Sequence, residues 1–331
     1  MRSNRMEKLL TICVCAYNME KLLPRALESC LIPDCAQIEV LIMNDGSTDR
    51  TGDIADEYAR RYPETVLHIR KENGGWGSNL NQAVKIARGK YFKELDADDW
   101  YIKENLQKLL QTLQQTEADM VITDHVYCYP DREKANNPEW KQYATQERSM
   151  SNTTPFYFPV WDAAFKTEVL KANYRDLPEH TQYTDNLFIL YILPHIKTVR
   201  FENSVLYCYM LGREGQSVGI ESLRKHFDEL IKVQRMTFDF YENCNFKHNQ
   251  HVLYKVKTTY YIFLTYFLRM YKNSDINIAK VIKENDLYVR RRIPELYRSS
   301  REHKKLFLLR ATNYNLVFFM SLWERGKEKK L

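Results

Sequence analysis

The first 130 residues alternate between short apolar segments and amphipathic segments, and this alternation constrains the fold more than any other feature. The apolar segments are continuous, which is typical of strands buried on both faces of a parallel sheet. Apolar residues at helical spacing fill the intervening segments. The pattern predicts strands over 9–15, 38–43, 66–69, 91–95 and 119–128 and helices over 20–31, 50–61, 79–87 and 103–115. The fold class is therefore α/β, with a mostly parallel sheet flanked by helices.

Polar, glycine-rich and acidic residues follow directly after the predicted strands. They fall at 17–18, 44–49, 71–77 and 96–99. Since ligands bind beyond the carboxyl ends of the strands in such sheets, we expect these stretches to form one site. The sequence contains neither a G-x-x-x-x-G-K-[ST] loop nor a G-x-G-x-x-G fingerprint, so neither of those nucleotide-binding classes is predicted.

Three carboxylates follow the fourth predicted strand, at Asp96, Asp98 and Asp99. Alternation along a strand places Asp96 and Asp98 on one face, about 7 Å apart. Two like charges held side by side favour a bound cation, and Mg²⁺ and Mn²⁺ take carboxylate oxygens together with substrate phosphates. The alternative is an acidic helix start, and Asp99, on the opposite face, is predicted to cap the following helix.

The other strand ends offer groups that suit a nucleotide. Asp45 can accept a hydrogen bond from a base N–H or a ribose hydroxyl. Lys71 can meet an anionic oxygen, and Asn73 stands before Gly74 and Gly75, where backbone can approach a ligand closely.

Four motifs in register resemble the successive signatures of family-2 glycosyltransferases with the GT-A fold. The order and spacing match over roughly residues 8–215. The motifs are Cys15-Ala16-Tyr17-Asn18-Met19-Glu20, Asn44-Asp45-Gly46-Ser47-Thr48-Asp49, Asn73-Gly74-Gly75 and Leu95-Asp96-Ala97-Asp98-Asp99. Trp161, Phe165-Lys166, Thr184-Asp185-Asn186-Leu187-Phe188 and Gln216-Ser217-Val218 are similar to the family as well.

The resemblance implies a metal-dependent enzyme that moves a sugar from a nucleotide-sugar, most often a UDP-sugar, to a hydroxyl acceptor with inversion. Asp98 and Asp96 would hold Mn²⁺ or Mg²⁺ on the diphosphate. Asp185 would take the proton of the acceptor hydroxyl. The implied donor-binding residues are Ala16, Tyr17, Asn18, Glu20, Asp45, Lys71, Asn73, Gly74 and Asp96.

Three positions depart from the family pattern. Thr184 stands where an acidic neighbour of the base is common, and Leu80 stands where many members carry an arginine. Trp76 is bulkier than usual in its turn, and either stacks on the donor or packs internally. For Asp185 the alternative role is a helix N-cap. His125 is predicted to be a core histidine rather than a metal ligand.

Residues 130–155 are polar and predict a loop or flap, and a helix over 184–193 and strands over 198–201 and 204–210 follow. Arg213 and Gln216, after the last of these strands, are candidates to close over the diphosphate. From about 220 the pattern is helical, with helices over 220–243, 249–272, 276–286 and 299–324. The sequence thus predicts a GT-A catalytic domain at 1–219 and a helical region at 220–331.

The two predicted parts differ in charge. Residues 220–331 have a net charge of +11 and residues 1–219 a net charge of −5. The basic, aromatic helical region is either a bundle with a solvated face or a bundle that also touches an anionic bilayer. Nucleic acid is not predicted as a partner, because the front half is acidic around its site and no binding motif occurs.

The setting implied is synthesis of a cell-surface polysaccharide or glycolipid, with a saccharide or lipid-linked acceptor. The sequence shows no signal peptide pattern, no 18-residue apolar run and seven cysteines without a CxxC pair. These features predict a cytoplasmic protein with free thiols, or one at the inner face of the plasma membrane. A sugar nucleotidyltransferase would need a glycine-rich basic loop after the first strand, and a non-catalytic nucleotide-sugar-binding protein would not need Asp96, Asp98 and Asp185 together.

Overall fold

The computed structural model describes residues 7–213, 215–271 and 277–328. The chain forms two compact units, residues 1–213 and residues 214–331. The first unit is built on one sheet and the second is helical. None of the helices in the described ranges is long and apolar enough to cross a membrane. The assignment of a catalytic domain to 1–219 and of a separate region to 220–331 stays a prediction.

The first unit begins with the strand and helix alternation that the sequence predicts. Its elements are β1 Leu10–Ala16, α1 Leu23–Cys30, β2 Ile38–Asp45, α2 Thr51–Arg61, β3 Val66–Lys71, α3 Gly75–Ile86, β4 Tyr91–Asp96, β5 Trp100–Tyr101, α4 Lys103–Gln115 and β6 Met120–Cys128. They continue with β7 Glu133–Ala135, β8 Glu147–Ser149, β9 Ala163–Lys166, α5 Thr167–Asn173, α6 Asp185–Ile192 and β10 Thr198–Met210.

These strands form one sheet in the order β3-β2-β1-β4-β9-β6-β10-β5, with β7 beside β6 and β8 beside β10. The four strands from β3 to β4 are parallel. Every residue of β1 and β2 is buried, which explains why both read as continuous apolar segments. The register pairs Cys15 of β1 with Met43 on one side and with Asp96 on the other, so the carboxyl ends of three strands lie next to one another.

The alternation suggested that the strand over 119–128 lies beside β4 and extends the parallel series. It does not. Strand β9 lies between β4 and β6 and runs antiparallel to both. Phe165 pairs with Phe92 of β4 and with Met120 of β6. The sequence pattern did not show this strand, because it is only four residues long.

The predicted loop over 130–155 is structured. Within it, β7 pairs with β6 and β8 pairs with β10, both antiparallel. Trp140, between the two strands, is fully buried and stacks on Phe201 with ring centroids 5.8 Å apart. The prediction of a flap was therefore wrong, because a polar segment is fixed here by strand pairing and one buried aromatic ring.

The second unit contains more breaks than its sequence pattern predicted. Its described helices are α7 Ile220–Lys225, α8 Phe227–Asn243, α9 Gln250–Met270, α10 Ile278–Arg292, α11 Pro294–Ser299, α12 Lys304–Ala311 and α13 Val317–Glu328. The predicted ends at residues 272 and 276 lie outside the described residues. The helix predicted over 299–324 is interrupted, because Asn313 and Tyr314 adopt positive φ angles of 47° and 67°.

A buried carboxylate holds several of these helices together. Asp286 of α10 is fully buried and accepts a hydrogen bond from the Tyr260 hydroxyl at 2.6 Å. The Arg310 guanidinium donates to both Asp286 oxygens, at 2.6 and 2.8 Å, and the Tyr314 hydroxyl donates to one of them. Since Tyr314 must reach Asp286, this network accounts for the left-handed turn between α12 and α13.

We predict that Gly89→Ala destabilises the first unit. A Cβ at residue 89 would lie 2.4 Å from the Thr11 amide nitrogen and 2.6 Å from the Leu10 carbonyl carbon, both in the backbone of β1. Because backbone cannot rotate away, the free energy of unfolding should fall by about 1–3 kcal/mol. Urea unfolding followed by circular dichroism measures this.

The matched control is Gly326→Ala in α13, where the added Cβ would meet no heavy atom within 4 Å. That change should leave stability unaltered or raise it slightly, by up to about 1 kcal/mol, since alanine favours helix. If the two variants unfold at the same urea concentration as the unchanged protein, the close approach at Gly89 does not exist.

Candidate active site

The loops after β1 and β2 are joined by hydrogen bonds between their polar residues. The Asn18 N–H donates to Ser47 Oγ at 3.0 Å, and Asn18 itself adopts a left-handed φ of 53°. The Glu20 N–H donates to Asp49 Oδ2 at 3.1 Å, and Glu20 Oε2 accepts from the Arg50 N–H at 3.1 Å. The predicted donor-binding residues Asn18 and Glu20 therefore shape the two loops.

The remaining residues of the first motif differ in their exposure. Ala16 is buried at the end of β1, whereas the Tyr17 side chain is 48% exposed. Among the implied donor-binding residues, Tyr17 thus presents an accessible ring to a ligand.

Asp45, at the end of β2, organises the start of α3. Its Oδ1 accepts from the Gly74 N–H at 2.9 Å and from the Lys71 ammonium. Its Oδ2 accepts from the Gly75 N–H at 2.8 Å and from Asn73 Nδ2 at 3.2 Å. A carboxylate placed on the first N–H groups of a helix satisfies donors that have no partner within the helix. This contact explains why α3 begins at Gly75 and not at the predicted residue 79.

The four acceptor positions of Asp45 are thereby all engaged. A nucleotide N–H or hydroxyl that bonds to Asp45 has to take the place of one of these donors. Lys71 is the exchangeable partner, because it reaches Asp45 through a long side chain and also donates to the Glu72 carbonyl at 2.7 Å. The structure brings Asp45, Lys71, Asn73 and Gly74 together as the sequence predicted.

Helix α3 also positions the segment that leads into α6. Asn81 Nδ2 donates to the Leu177 carbonyl at 2.9 Å, and Asn81 Oδ1 accepts from the Leu177 N–H at 2.8 Å. The His180 N–H donates to the Gly74 carbonyl at 2.6 Å. A Cβ on Gly77 would lie 3.0 Å from Leu177, so glycine permits this approach. Sequence reasoning missed the role of Asn81, whose partner Leu177 is 96 residues away.

Asp185 is the first residue of α6. Thr184 holds the N-cap position without a side-chain capping bond, and Asn186 Nδ2 donates to both Asp185 oxygens, at 3.2 and 3.3 Å. Burial is the main cause that raises the pKa of Asp96, and the charge of Asp185 contributes to the same shift, so the two carboxylates influence each other electrostatically. Asp185 thus sits within the first turn of α6, and the N-cap position belongs to Thr184.

Asp96, Asp98 and Asp99 each place one carboxylate oxygen within 4.8 Å of the other two. Strand β4 ends at Asp96, and a turn follows over residues 97–98. The alternation argument that put Asp98 on the strand face of Asp96 was therefore wrong in its geometry. The turn, rather than the strand, brings Asp98 back toward Asp96.

Asp99 does not point away from this cluster to cap a helix. It is buried and accepts hydrogen bonds from the Tyr207 hydroxyl at 2.6 Å and from the Met210 N–H at 2.7 Å. The N-cap position of α4 is Ile102. The prediction of a capping role was wrong because the partners of Asp99 lie on β10, more than 100 residues away in sequence.

Two arginines surround Asp98. Arg213 donates to Asp98 Oδ2 through Nε at 2.8 Å and through Nη2 at 2.6 Å. Arg25 Nη2 donates to the Asp98 carbonyl at 2.6 Å, and its guanidinium lies 3.8 Å from the centroid of the Trp100 ring. The sequence named Arg213 as a candidate near the diphosphate, whereas Arg25 was missed because it lies inside a helix pattern.

The cluster concentrates negative charge in a poorly solvated place. Burial, with the nearby charge of Asp98, raises the pKa of Asp96 to about 7. Burial followed by the charges of Asp98 and Asp96 raises the pKa of Asp99. Behind them, burial and then Asp96 raise the pKa of Glu94, whose Oε2 has no hydrogen-bond partner in the described part of the chain. An excess of carboxylate oxygens that repel one another is the donor set that a hard divalent cation requires.

Trp76 and His125 both pack inside the first unit. The sequence left this role open for Trp76 and favoured it for His125. Trp76 packs edge-on against Phe188 with centroids 6.2 Å apart, and its Nε1 donates to Glu94 Oε1 at 3.4 Å. His125 is buried and shares its Nδ1 with Asp162 at 2.9 Å, as expected of a core histidine.

The carboxylates at the two ends of this edge are well separated. Asn44 pairs with Ala16 of β1, and Asp96 pairs with Cys15 on the other side of the same strand. Because neighbouring strands lie about 4.8 Å apart, the end of β2, with Asp45, lies about 10 Å from the end of β4. The edge can therefore engage a ligand at two polar centres, with β1 between them.

Residues 11–173 match the family described as Glycosyl transferase family 2. The uncharacterized glycosyltransferase EpsJ of Bacillus subtilis is 28% identical over 209 residues, which are 61% of this chain and 60% of that protein. The chain thus spans about three fifths of the length of this relative.

Solved structures resemble the fold over most of the chain. S. aureus TarS 1–349, solved in complex with UDP-GlcNAc, gives a TM-score of 0.55 at 20% identity over 90% of this chain and 92% of that one. The mannosyltransferase PcManGT from Pyrobaculum calidifontis, solved with GDP-Man and Mn²⁺, gives 0.51 at 16% identity over 97% and 87%. The family match and the sequence motifs show that residues 11–173 form a family 2 glycosyltransferase domain, and the solved structures show that its fold is GT-A.

Proposed function

We propose that this glycosyltransferase moves a sugar from a nucleotide-sugar to a hydroxyl acceptor. The donor is a UDP-sugar, the anomeric configuration is inverted, and a divalent cation assists the reaction. The observation that carries the proposal is the set of Asp96, Asp98 and Asp99 oxygens within 4.8 Å of one another at the end of β4. Asp185 contributes to the electrostatics of the same cluster, and Asp45 lies two strands away.

The residues at the end of β4 fit Mn²⁺ or Mg²⁺. Asp98 and Asp96 would hold the ion, since both hydrogen-bonding oxygens of Asp99 are engaged by Tyr207 and Met210. The buried Glu94 Oε2 behind them has no hydrogen-bond partner in the described part of the chain. A bound divalent ion supplies positive charge to the diphosphate oxygens as the nucleotide leaves.

Asp185 acts as the general base. Its carboxylate accepts the proton of the acceptor hydroxyl while that oxygen forms a bond to the anomeric carbon and the bond to the diphosphate breaks. A single displacement from the face opposite the leaving group inverts the anomeric configuration. Asn186 orients the carboxylate through its two hydrogen bonds, and the Asn81 contacts hold the preceding segment on α3.

The donor lies across the ends of β2 and β4. Tyr17 and Asp45 face the base, and Lys71 is freed for an anionic oxygen when the base engages Asp45. Ala16, Asn18, Glu20, Asn73 and Gly74 shape this pocket through the backbone bonds of their loops.

The acceptor is a saccharide or a lipid-linked saccharide used for a cell-surface polymer or glycolipid. A lipid-linked acceptor would bring a cytoplasmic enzyme to the inner face of the plasma membrane. Family membership supports sugar transfer over nucleotidyl transfer, and the grouping of Asp96, Asp98 and Asp185 supports catalysis over donor binding alone.

We predict that Asp98→Asn removes the metal dependence of nucleotide binding. Calorimetric titration should show that Mn²⁺ strengthens the binding of UDP to the unchanged protein. In the presence of Mn²⁺ the variant should bind UDP about tenfold or more weakly, because a charged ligand atom of the metal is lost. GDP titrated in parallel tests the preference for uridine.

The control is Asp131→Asn, whose carboxylate is 71% exposed and lies outside the cluster. This variant should bind UDP and Mn²⁺ as the unchanged protein does. Equal Mn²⁺-dependent binding by Asp98→Asn would exclude Asp98 as a metal ligand.

We predict that Asp185→Asn keeps UDP binding but lowers the rate of transfer by about 10²–10⁴-fold, the usual contribution of a general base. The assay is the release of UDP from a panel of UDP-sugars with sugar acceptors or with water. For any transfer product, the anomeric proton in the NMR spectrum should show inverted configuration.

Asp176→Asn is the matched control, because Asp176 precedes α6 in the same segment and its carboxylate is 64% exposed in a surface pair with Lys85. It should leave the rate unchanged. A fully active Asp185→Asn protein would show that another group takes the proton.

We predict that Asp96→Asn stabilises the metal-free protein at pH 8 more than at pH 5. The folded pKa of about 7 lies above the ordinary 3.8, so the folded state binds the proton more tightly than the unfolded chain does. The free energy of unfolding of the unchanged protein therefore falls as the pH rises from about 4 to 7. Removing the charge should add about 1 kcal/mol or more at pH 8, or roughly 2–4 °C in melting temperature.

Thermal melts in the presence of a chelator at both pH values measure this difference. Asp131→Asn again serves as the control, since its exposed carboxylate should give no pH-dependent gain. If Asp96→Asn melts at the same temperature as the unchanged protein at pH 8, burial and the neighbouring carboxylates do not disfavour the Asp96 charge in the absence of metal.

A further inference from the structure

The last two helices of the second unit expose a concentrated set of large apolar side chains. Nine large hydrophobic side chains are exposed in the described ranges, and six of them lie on α12 and α13. These six are Phe307 (56%), Leu308 (44%), Phe318 (40%), Phe319 (64%), Leu322 (43%) and Trp323 (56%). Exposed apolar groups scattered singly are ordinary, whereas such a concentration indicates an interaction surface.

On α13 the exposed apolar residues follow helical spacing. Phe319, Leu322 and Trp323 stand at positions i, i+3 and i+4 and therefore share one face. Val317 and Met320 are buried on the other side of the same helix. The helix thus packs one apolar face inward and presents a second apolar face outward.

Helix α12 repeats this arrangement. Phe307 and Leu308 stand three and four residues after the exposed Lys304, so the three side chains share a face. Leu306 and Leu309 are buried on the opposite face. The outward face of α12 is therefore apolar with a cation at its amino-terminal end.

The two outward faces meet at Lys305. Its ammonium lies 5.6 Å from the centroid of the Trp323 ring and pairs with Glu324 at 2.6 Å. Leu308 is one turn from Lys305 on α12. We call the set formed by the six exposed side chains the α12–α13 surface.

The charges that adjoin this surface in the sequence are mainly positive. Arg298 and Arg301 shortly precede α12, Lys304 begins it, and all three are exposed, against the exposed Glu302. Over residues 298–331 the sequence holds nine Lys and Arg and three Glu. Lys329 and Lys330 belong to that count and lie outside the described residues.

We propose that the α12–α13 surface docks on the interface of an anionic lipid bilayer. Aromatic and aliphatic side chains on one helix face enter the boundary between headgroups and acyl chains, and neighbouring basic residues are attracted to anionic headgroups. In a homodimer formed through this surface, the positive charges of the two copies would face each other, so a second copy is disfavoured as the partner. The inference does not depend on the proposed transfer reaction.

The test is flotation of the full chain with vesicles of phosphatidylcholine alone or with phosphatidylglycerol, at low and high salt. We expect binding to the anionic vesicles that weakens as salt screens the charges. Phe319→Ser and Trp323→Ser should each weaken it by about tenfold or more, as expected for large apolar side chains that no longer leave water. Tyr157→Ser, a change of an exposed aromatic residue in the first unit, should leave it unaltered.

UDP binding by the same variants separates this inference from the proposed function. Vesicle binding lost while UDP binding and the helical circular dichroism signal both stay unchanged supports the docking surface, because both units then keep their fold. Absence of vesicle binding by the unchanged chain at low salt would overturn the proposal. So would a concentration-dependent dimer in sedimentation velocity that Phe319→Ser abolishes, since that outcome assigns the surface to a second copy.

Discussion

The repulsion among carboxylates at the end of β4 is the constraint on which the site depends. Carboxylates that lose water and gain no counter-charge are costly, by several kcal/mol each. The chain keeps them in place with bonds from elsewhere: β10 supplies Tyr207 and Met210 to Asp99, and Arg213 supplies its guanidinium to Asp98. Hydrogen bonds from other parts of the fold therefore keep Asp98 and Asp99 beside Asp96, despite the repulsion among their carboxylates.

Helix α3 contacts two parts of the site, one through its first turn and the other through Asn81. Its first N–H groups bind Asp45, and Asn81 holds the segment that leads to α6. One helix thus links the carboxylate at the end of β2 with the segment that carries Asp185. A small displacement of α3 would move both positions at once. Glycine at residue 77 permits the two segments to touch, because a Cβ there would lie 3.0 Å from Leu177.

The parallel half of the sheet could be predicted from the sequence, because continuous apolar strands and amphipathic helices are local patterns. The same holds for the grouping of Asp45, Lys71 and Asn73, since the carboxyl ends of parallel strands always share an edge. Strand β9, the anchoring of Asp99 and the role of Asn81 could not be predicted. Each depends on a partner far along the chain, and the short segments involved carry no periodicity.

The contact between Arg213 and Asp98 has a consequence for how the site is loaded. A guanidinium occupies one oxygen of Asp98, so an ion that bound there would exchange one cation for another. The apparent affinity for the ion is then lower than the affinity of the bare carboxylates, by the share of molecules in which Arg213 is in place. In such a site the exchange weakens every divalent ion by the same factor, so it sets how much metal is needed, while discrimination among metals rests on coordination geometry.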